Sequence, residues 1–167
     1  MCKVLIYSHS EFNDICEKNG WNDNNVDSKN DIAFISIIGS ANCLKYYLEE
    51  DASHWFASDH NNVLNLEFDD ISGDEKVTWK GHELTPMSES DAEKCVNFIE
   101  NNIGKTFIIH CRAGKSRSQA FFRFITDFYK DVYSTDCGRK TNPCLTPNVF
   151  VLRLLKKAFY KKHNLSV

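Results

Sequence analysis

The run IAFISII at residues 32–38 is apolar apart from one serine. A strand with one wet face alternates apolar and polar side chains, so an almost unbroken run fits a strand buried on both faces. KVLIYS (3–8), VLNLEF (63–68) and TFII (106–109) are further β-prone runs. Between them lie stretches with helical spacing. SEFNDICEKNG stops at Gly20, ANCLKYYLEE follows the 32–38 run, and Ala120, Phe121, Phe124, Ile125 and Phe128 mark a helix after TFII. Ser90 and Glu93 have the spacing of a capping box ahead of Ala92, Cys95, Val96 and Ile99, with Gly104 as the stop. Thr146 as N-cap and Pro147 at the first helical position open a last helix through Lys162. Strands alternating with helices predict an α/β fold: one domain over residues 1–167, a central, mostly parallel sheet, and helices on both faces.

Three segments fit no period. Asn and Asp dominate from Gly20 to Asp31, and residues 134–145 are polar; both are expected to be loops. Asp69 to Ser88 is a longer loop, of a length that often carries function. Trp79 and His82 within it either close over a substrate or are ordinary loop aromatics.

At 167 residues the chain can bury a real core. No apolar stretch is long enough to span a membrane, and MCKVLIYSHSEF lacks a small-residue cleavage site. A cytoplasmic location is the expectation. The net charge of −3 argues against bulk nucleic-acid binding. KKAFYKKH at 156–163 is either a lysine-solvated helical face or a binding patch. The 7 cysteines show no CxxC pair and no zinc-ligand spacing, so reduced thiols, mostly packed as small hydrophobes, are expected. Neither a metal nor a cofactor is expected; metal binding by Cys137 and Cys144 is an outside alternative.

The chemistry concentrates in FIIHCRAGKSRSQ, residues 107–119. It joins a buried strand to a helix, at the edge where parallel α/β sheets bind ligands. A helix N-terminus there offers unpaired N–H groups and a partial positive charge, and a tight loop can wrap its N–H groups around one anion. Gly114 permits the curl. The dipole, the loop N–H groups and the nearby cations all favour the thiolate of Cys111. Arg117 offers a planar fork that matches two phosphate oxygens. Ser118 is placed to donate a hydrogen bond to the sulfur. A thiolate at the bottom of a phosphate-shaped cradle is a nucleophile aimed at phosphorus.

HCRAGKSRS resembles the His-Cys-x5-Arg-Ser/Thr signature of the protein tyrosine phosphatase superfamily, in the form found in its compact dual-specificity and bacterial tyrosine-phosphatase-like branches. IAFISIIG, VLNLEFDDI and TPNVFVLRLL are similar to flanking elements of that family. The resemblance implies a metal-free, two-step phosphatase reaction through a phosphocysteine. Cys111 attacks, and Arg117 with the loop Arg112, Ala113, Gly114, Lys115 and Ser116 holds the phosphate. An aspartate protonates the leaving oxygen and later activates water. The family's Phe-x-Asp pattern selects Asp70, with Asp69 in reserve. Asp74 also remains open, because an insertion within 71–89 would account for an unusually long separation from Cys111.

His110 is expected to be a buried imidazole that bonds to backbone and shapes the loop. Ser116 either joins the cradle or caps the following helix. Cys43 is either a packed thiol or, as in some relatives, a resolving cysteine. Arg112 and Lys115 exceed what the signature requires. They either solvate the surface or favour a polyanionic substrate: a phosphoinositide, an inositol phosphate or an RNA 5′-phosphate. Phosphotyrosine or dual-specificity protein substrates are the leading expectation. A pseudophosphatase that binds phospho-ligands without turnover is the alternative in another class; a rhodanese-type sulfurtransferase fits the motif less well. Oligomeric state is not legible in the sequence.

Overall fold

The computed structural model describes residues 1–41, 53–135 and 146–166. Four strands, β1 (Val4–Tyr7), β2 (Ile32–Ile38), β3 (Val63–Glu67) and β6 (Thr106–His110), form one sheet in the order β1-β6-β2-β3. Every pairing in it is parallel. Successive side chains of a strand point to opposite faces, and the packing follows that period. Val4, Ile6, Ala33, Ile35, Ile37, Leu64, Leu66, Phe107 and Ile109 share one core. Phe34, Val63 and Ile108 point into another, with Leu5 and Tyr7 against it. Both faces of IAFISII are therefore covered, and Ser36 is fully buried.

The first core lies under three helices: α2 (Glu89–Asn101), α3 (Arg117–Phe128) and α4 (Val149–Lys162). The second is closed by Phe12 and Cys16 of α1 (His9–Lys18), with Val26 and Phe56. Truncating a fully buried member such as Ile35 or Phe107 to alanine would cost roughly 2–5 kcal/mol. The chain thus leaves β1 toward one face, by α1, and leaves the neighbouring β6 toward the other, by α3. That divergence opens a crevice at the carboxyl edge of the sheet.

Local signals explain most boundaries. Ser8 and Glu11 form a capping box at α1, and Gly20 takes a positive φ of 64° just beyond its end. Helix α2 begins two residues earlier than the expected Ser90–Glu93 box, because Ser88 and Asp91 make the reciprocal bonds instead. Met87 and Ala92 then occupy the positions of a hydrophobic staple, and both are in the core. Helix α4 is capped by Asn148 rather than Thr146; Asn148 accepts from the N–H groups of Phe150 and Val151. Residues 69–88 are not wholly irregular: Thr78–Trp79 (β4) and His82–Glu83 (β5) pair as a short antiparallel hairpin turned by Lys80 and Gly81, both at positive φ.

The lysines of KKAFYKKH turn out to tie α4 to α2, through Lys157–Glu89, Lys161–Glu93 and Lys162–Glu100. Such exposed pairs contribute about 0–1 kcal/mol each. Among the described residues no helix is long and apolar enough to cross a membrane. The helix expected from ANCLKYYLEE, most of the polar 134–145 loop, and Cys43, Cys137 and Cys144 lie outside the described residues.

Candidate active site

Strand β6 ends at His110, and the next residue is Cys111. The loop from Arg112 to Ser116 then returns to α3, which opens with Arg117. Gly114 sits at φ 65°, the left-handed conformation the curl requires. Loop and helix together form the floor of a cavity of about 240 Å³ between α1, the ends of β2 and β3, and the segment after the hairpin.

Cys111 is 2% exposed, and its Sγ lies 3.2 Å from Ser118 Oγ. Burial by itself would raise its pKa. The charge of Arg117, the Ser118 hydroxyl and the backbone N–H groups of Ser118 and Ser116 outweigh that, and hold the thiol below its ordinary value. Two other buried cysteines provide the contrast. Burial pushes the Cys16 thiol up to about 12 and raises Cys95 as well. At Cys95 the charge of Lys94 acts the other way but does not reverse the sign.

Arg117 is 6% exposed. Its Nη1 donates to the carbonyls of Ile38 at 3.1 Å and Phe68 at 2.7 Å, which locks one corner of the guanidinium to the ends of β2 and β3. Its Nε is buried and has no hydrogen-bond partner among the described residues. A buried, charged donor without a partner is costly.

The two adjacent aspartates differ. Asp69 is 4% exposed and accepts from Ser40 N–H at 2.9 Å, Ser40 Oγ at 2.6 Å and Thr85 N–H at 2.7 Å. Its backbone N–H returns a bond to the Thr85 carbonyl at 2.7 Å. Asp69 thus staples the exit of the hairpin to the end of β3, next to Leu84 on the cavity wall. Asp70 is exposed at the cavity rim, with Oδ1 accepting from Ser116 Oγ and Asn148 Nδ2, each at 2.7 Å. Asp74 is exposed on the loop and is not part of the cavity wall, nor are Trp79 and His82.

His110 is fully buried, and its Nε2 lies 2.7 Å from Ser36 Oγ. Ser36 Oγ is also 2.7 Å from His54 Nδ1. Burial, then the neighbouring His9 and His54, depress His110 well below the usual histidine value, so its ring is neutral. Ser116 stands at the N-cap position of α3, but its side chain makes no capping bond there; it goes to Asp70. Arg112 and Lys115 are exposed and line the cavity with Ala113.

Several contributors were not legible as site residues. His9 lines the cavity, and its backbone N–H ties α1 to the loop through the Arg112 carbonyl at 3.1 Å. Ile37, Ile38 and Leu84 supply apolar wall. Asn148 reaches Asp70 across 78 positions of sequence. An asparagine at a helix start was its only signal, beside a Thr-Pro pair that is a competing start signal. Among the described residues no group of three or more His, Cys, Asp or Glu could hold a metal ion.

No family model matches the chain, and no curated protein does. Among solved structures, the crystal structure of Tk-PTP in the active form is similar to it at 15% identity and a TM-score of 0.45, covering 93% of this chain and 88% of that one.

Proposed function

We propose that the chain is a cysteine-dependent phosphatase that hydrolyses phosphomonoesters through a phosphocysteine intermediate. Its substrate class is phosphotyrosine or dual-specificity phosphoprotein, and its location the cytoplasm. One observation carries the reading. Cys111, its thiol held below the ordinary value despite burial, shares a loop with Arg117, whose buried Nε has no partner among the described residues. Cys111 and Arg117 line the same cavity.

In the first step Cys111 Sγ bonds to phosphorus as the bond to the leaving oxygen breaks, and Asp70 gives that oxygen its proton. In the second, water attacks phosphorus, Asp70 takes its proton, the S–P bond breaks and phosphate leaves. Arg117 and the loop N–H groups hold the remaining phosphate oxygens, where each well-aimed donor is worth about 10²–10³ in rate. The Ser118 hydroxyl steadies the sulfur as it departs. His110, neutral and wedged against Phe12 at 4.2 Å between ring centroids, orients the loop rather than moving protons. The assignment of Asp70 over Asp69 draws support from Asp69 having both oxygens engaged by buried donors.

The apolar wall of Ile37, Ile38 and Leu84 favours an aryl phosphate. A second reading, a polyanionic substrate such as a phosphoinositide, inositol phosphate or RNA 5′-phosphate, is favoured by Arg112 and Lys115 on the same wall. Hydrolysis of an aryl phosphate with chelator present, with and without vanadate, tests the reaction. Turnover that vanadate inhibits and Cys111→Ser abolishes is the expected result. No Cys111-dependent turnover on any member of a panel of phosphopeptides, phosphoinositides and triphosphate-ended RNA would leave a binding module instead.

A further inference from the structure

We infer that Asn148 is a positioning residue for Asp70, holding one named carboxylate oxygen and so deciding which oxygen carries the proton. This rests on the phosphatase reading for its chemistry, though not for its geometry.

Asn148 is 7% exposed, and each end of its side chain is committed. Oδ1 accepts from the N–H groups of Phe150 and Val151, each at 3.0 Å, which caps α4. Those two donors fix the orientation of the amide, since only the oxygen can accept from them. The amide nitrogen therefore faces the other way, and donates to Asp70 Oδ1 at 2.7 Å and to the Ile71 carbonyl at 2.9 Å. The backbone N–H of Asn148 also donates to the Ser116 carbonyl at 3.1 Å, and Ser116 Oγ donates to the same Asp70 Oδ1. Three segments distant in sequence converge on one atom: the strand exit at Asp70, the loop around Cys111, and the start of α4.

Two consequences follow. An exposed aspartate at a strand exit would otherwise sample several rotamers; two donors on Oδ1 hold one of them, a preorganisation that matters at a reacting centre. With Oδ1 engaged by an amide that cannot accept, the transferable proton sits on Oδ2. Asparagine is the residue for both tasks. Asp or Ser at 148 would still cap α4, but the former sets a carboxylate against Asp70 and the latter cannot reach it.

That separation supplies the test. Asn148→Ser and Asn148→Asp keep the α4 cap and are expected to stay folded, with some thermal stability lost at the Ile71 carbonyl, which no longer has its donor. Turnover of an aryl phosphate with a poor leaving group should fall about tenfold or more, as part of the roughly 10²–10⁴ that proton transfer supplies. Turnover of one with a good leaving group should barely change. Equal losses on both substrates, or no loss on either, while Asp70→Asn retains its leaving-group dependence, would overturn the inference. If Asp70→Asn shows no such dependence, or the protein does not turn over, it is the acid assignment or the phosphatase reading that fails. The clamp is then judged by the carboxyl-carbon NMR resonance of Asp70 in parent and Asn148→Ser. A shifted resonance supports it, and an unmoved one overturns it.

Discussion

Asp69 and Asp70 are the same side chain at consecutive positions, yet the fold gives them opposite surroundings. One is buried in the cavity wall, where three donors engage both its oxygens. The other sits on the rim, held at one oxygen with the second left for chemistry. A strand exit explains the split, because neighbouring side chains there point to opposite sides. One aspartate can build the wall and its neighbour can face into what the wall encloses. The lesson is that a carboxylate near a site is judged by which of its oxygens are already occupied.

The comparison breaks most easily by mutation. Asp70→Asn is expected to lower turnover on poor leaving groups about 10²–10⁴-fold, with stability within about 0.5 kcal/mol of the parent. Asp69→Asn should do the reverse. An amide NH₂ would be turned on buried donors, costing about 1–3 kcal/mol, and denaturant midpoints would report it. If Asp69→Asn gave the larger, leaving-group-dependent loss of turnover, the assignment of the two would be inverted.

Smaller effects sharpen the picture of what holds Cys111 ready. Its alkylation by iodoacetate should reach half-maximal rate below the ordinary thiol value of 9.0, and Ser118→Ala should move that midpoint upward by removing one of the groups that lower it. An unchanged midpoint would mean that Arg117 and the loop N–H groups suffice.

The smallest expected effects are in stability against pH, where two histidine clusters differ in sign. His60 bonds Asp23 and Asp27 through its two ring nitrogens, each at 2.9 Å, and those carboxylates raise it above 6.5. Its contribution is complete below 6.5 and is lost as pH rises through the raised folded value. Burial lowers His54 to about 4. Between about 6.5 and 4 the unfolded chain binds more protons there, so stability falls as pH falls through that window. Urea midpoints across pH should lose the alkaline slope in His60→Asn and flatten on the acid side in His54→Gln. A parent slope retained in either variant would remove that histidine from the account.

The elements of the fold were legible because each rests on local physics. An unbroken apolar run such as IAFISII has to be covered on both faces, and a strand followed by Cys, Gly and Arg before a helical period has few ways to turn. Helix boundaries were less legible where two signals competed within three residues, as in SESDAE and TPN. The core packing of Met87 and Ala92, and the double duty of Asn148, decided between them. The hairpin at 78–83 carries too few residues for a period to show.

By itself the sequence determined the alternation of strands and helices and the loop that brings Cys111, Gly114 and Arg117 together, since those are separated by a few residues and governed by backbone geometry. Tertiary structure alone decided that Asp69, also on the cavity wall, is held at both oxygens and Asp70 at one, that Asn148 and Ser116 hold the latter, that Ser36 links His110 to His54, and that Leu84 lines the wall. Each of these depends on groups brought together across tens of residues, where the partner of a hydrogen bond is set by packing rather than by spacing along the chain.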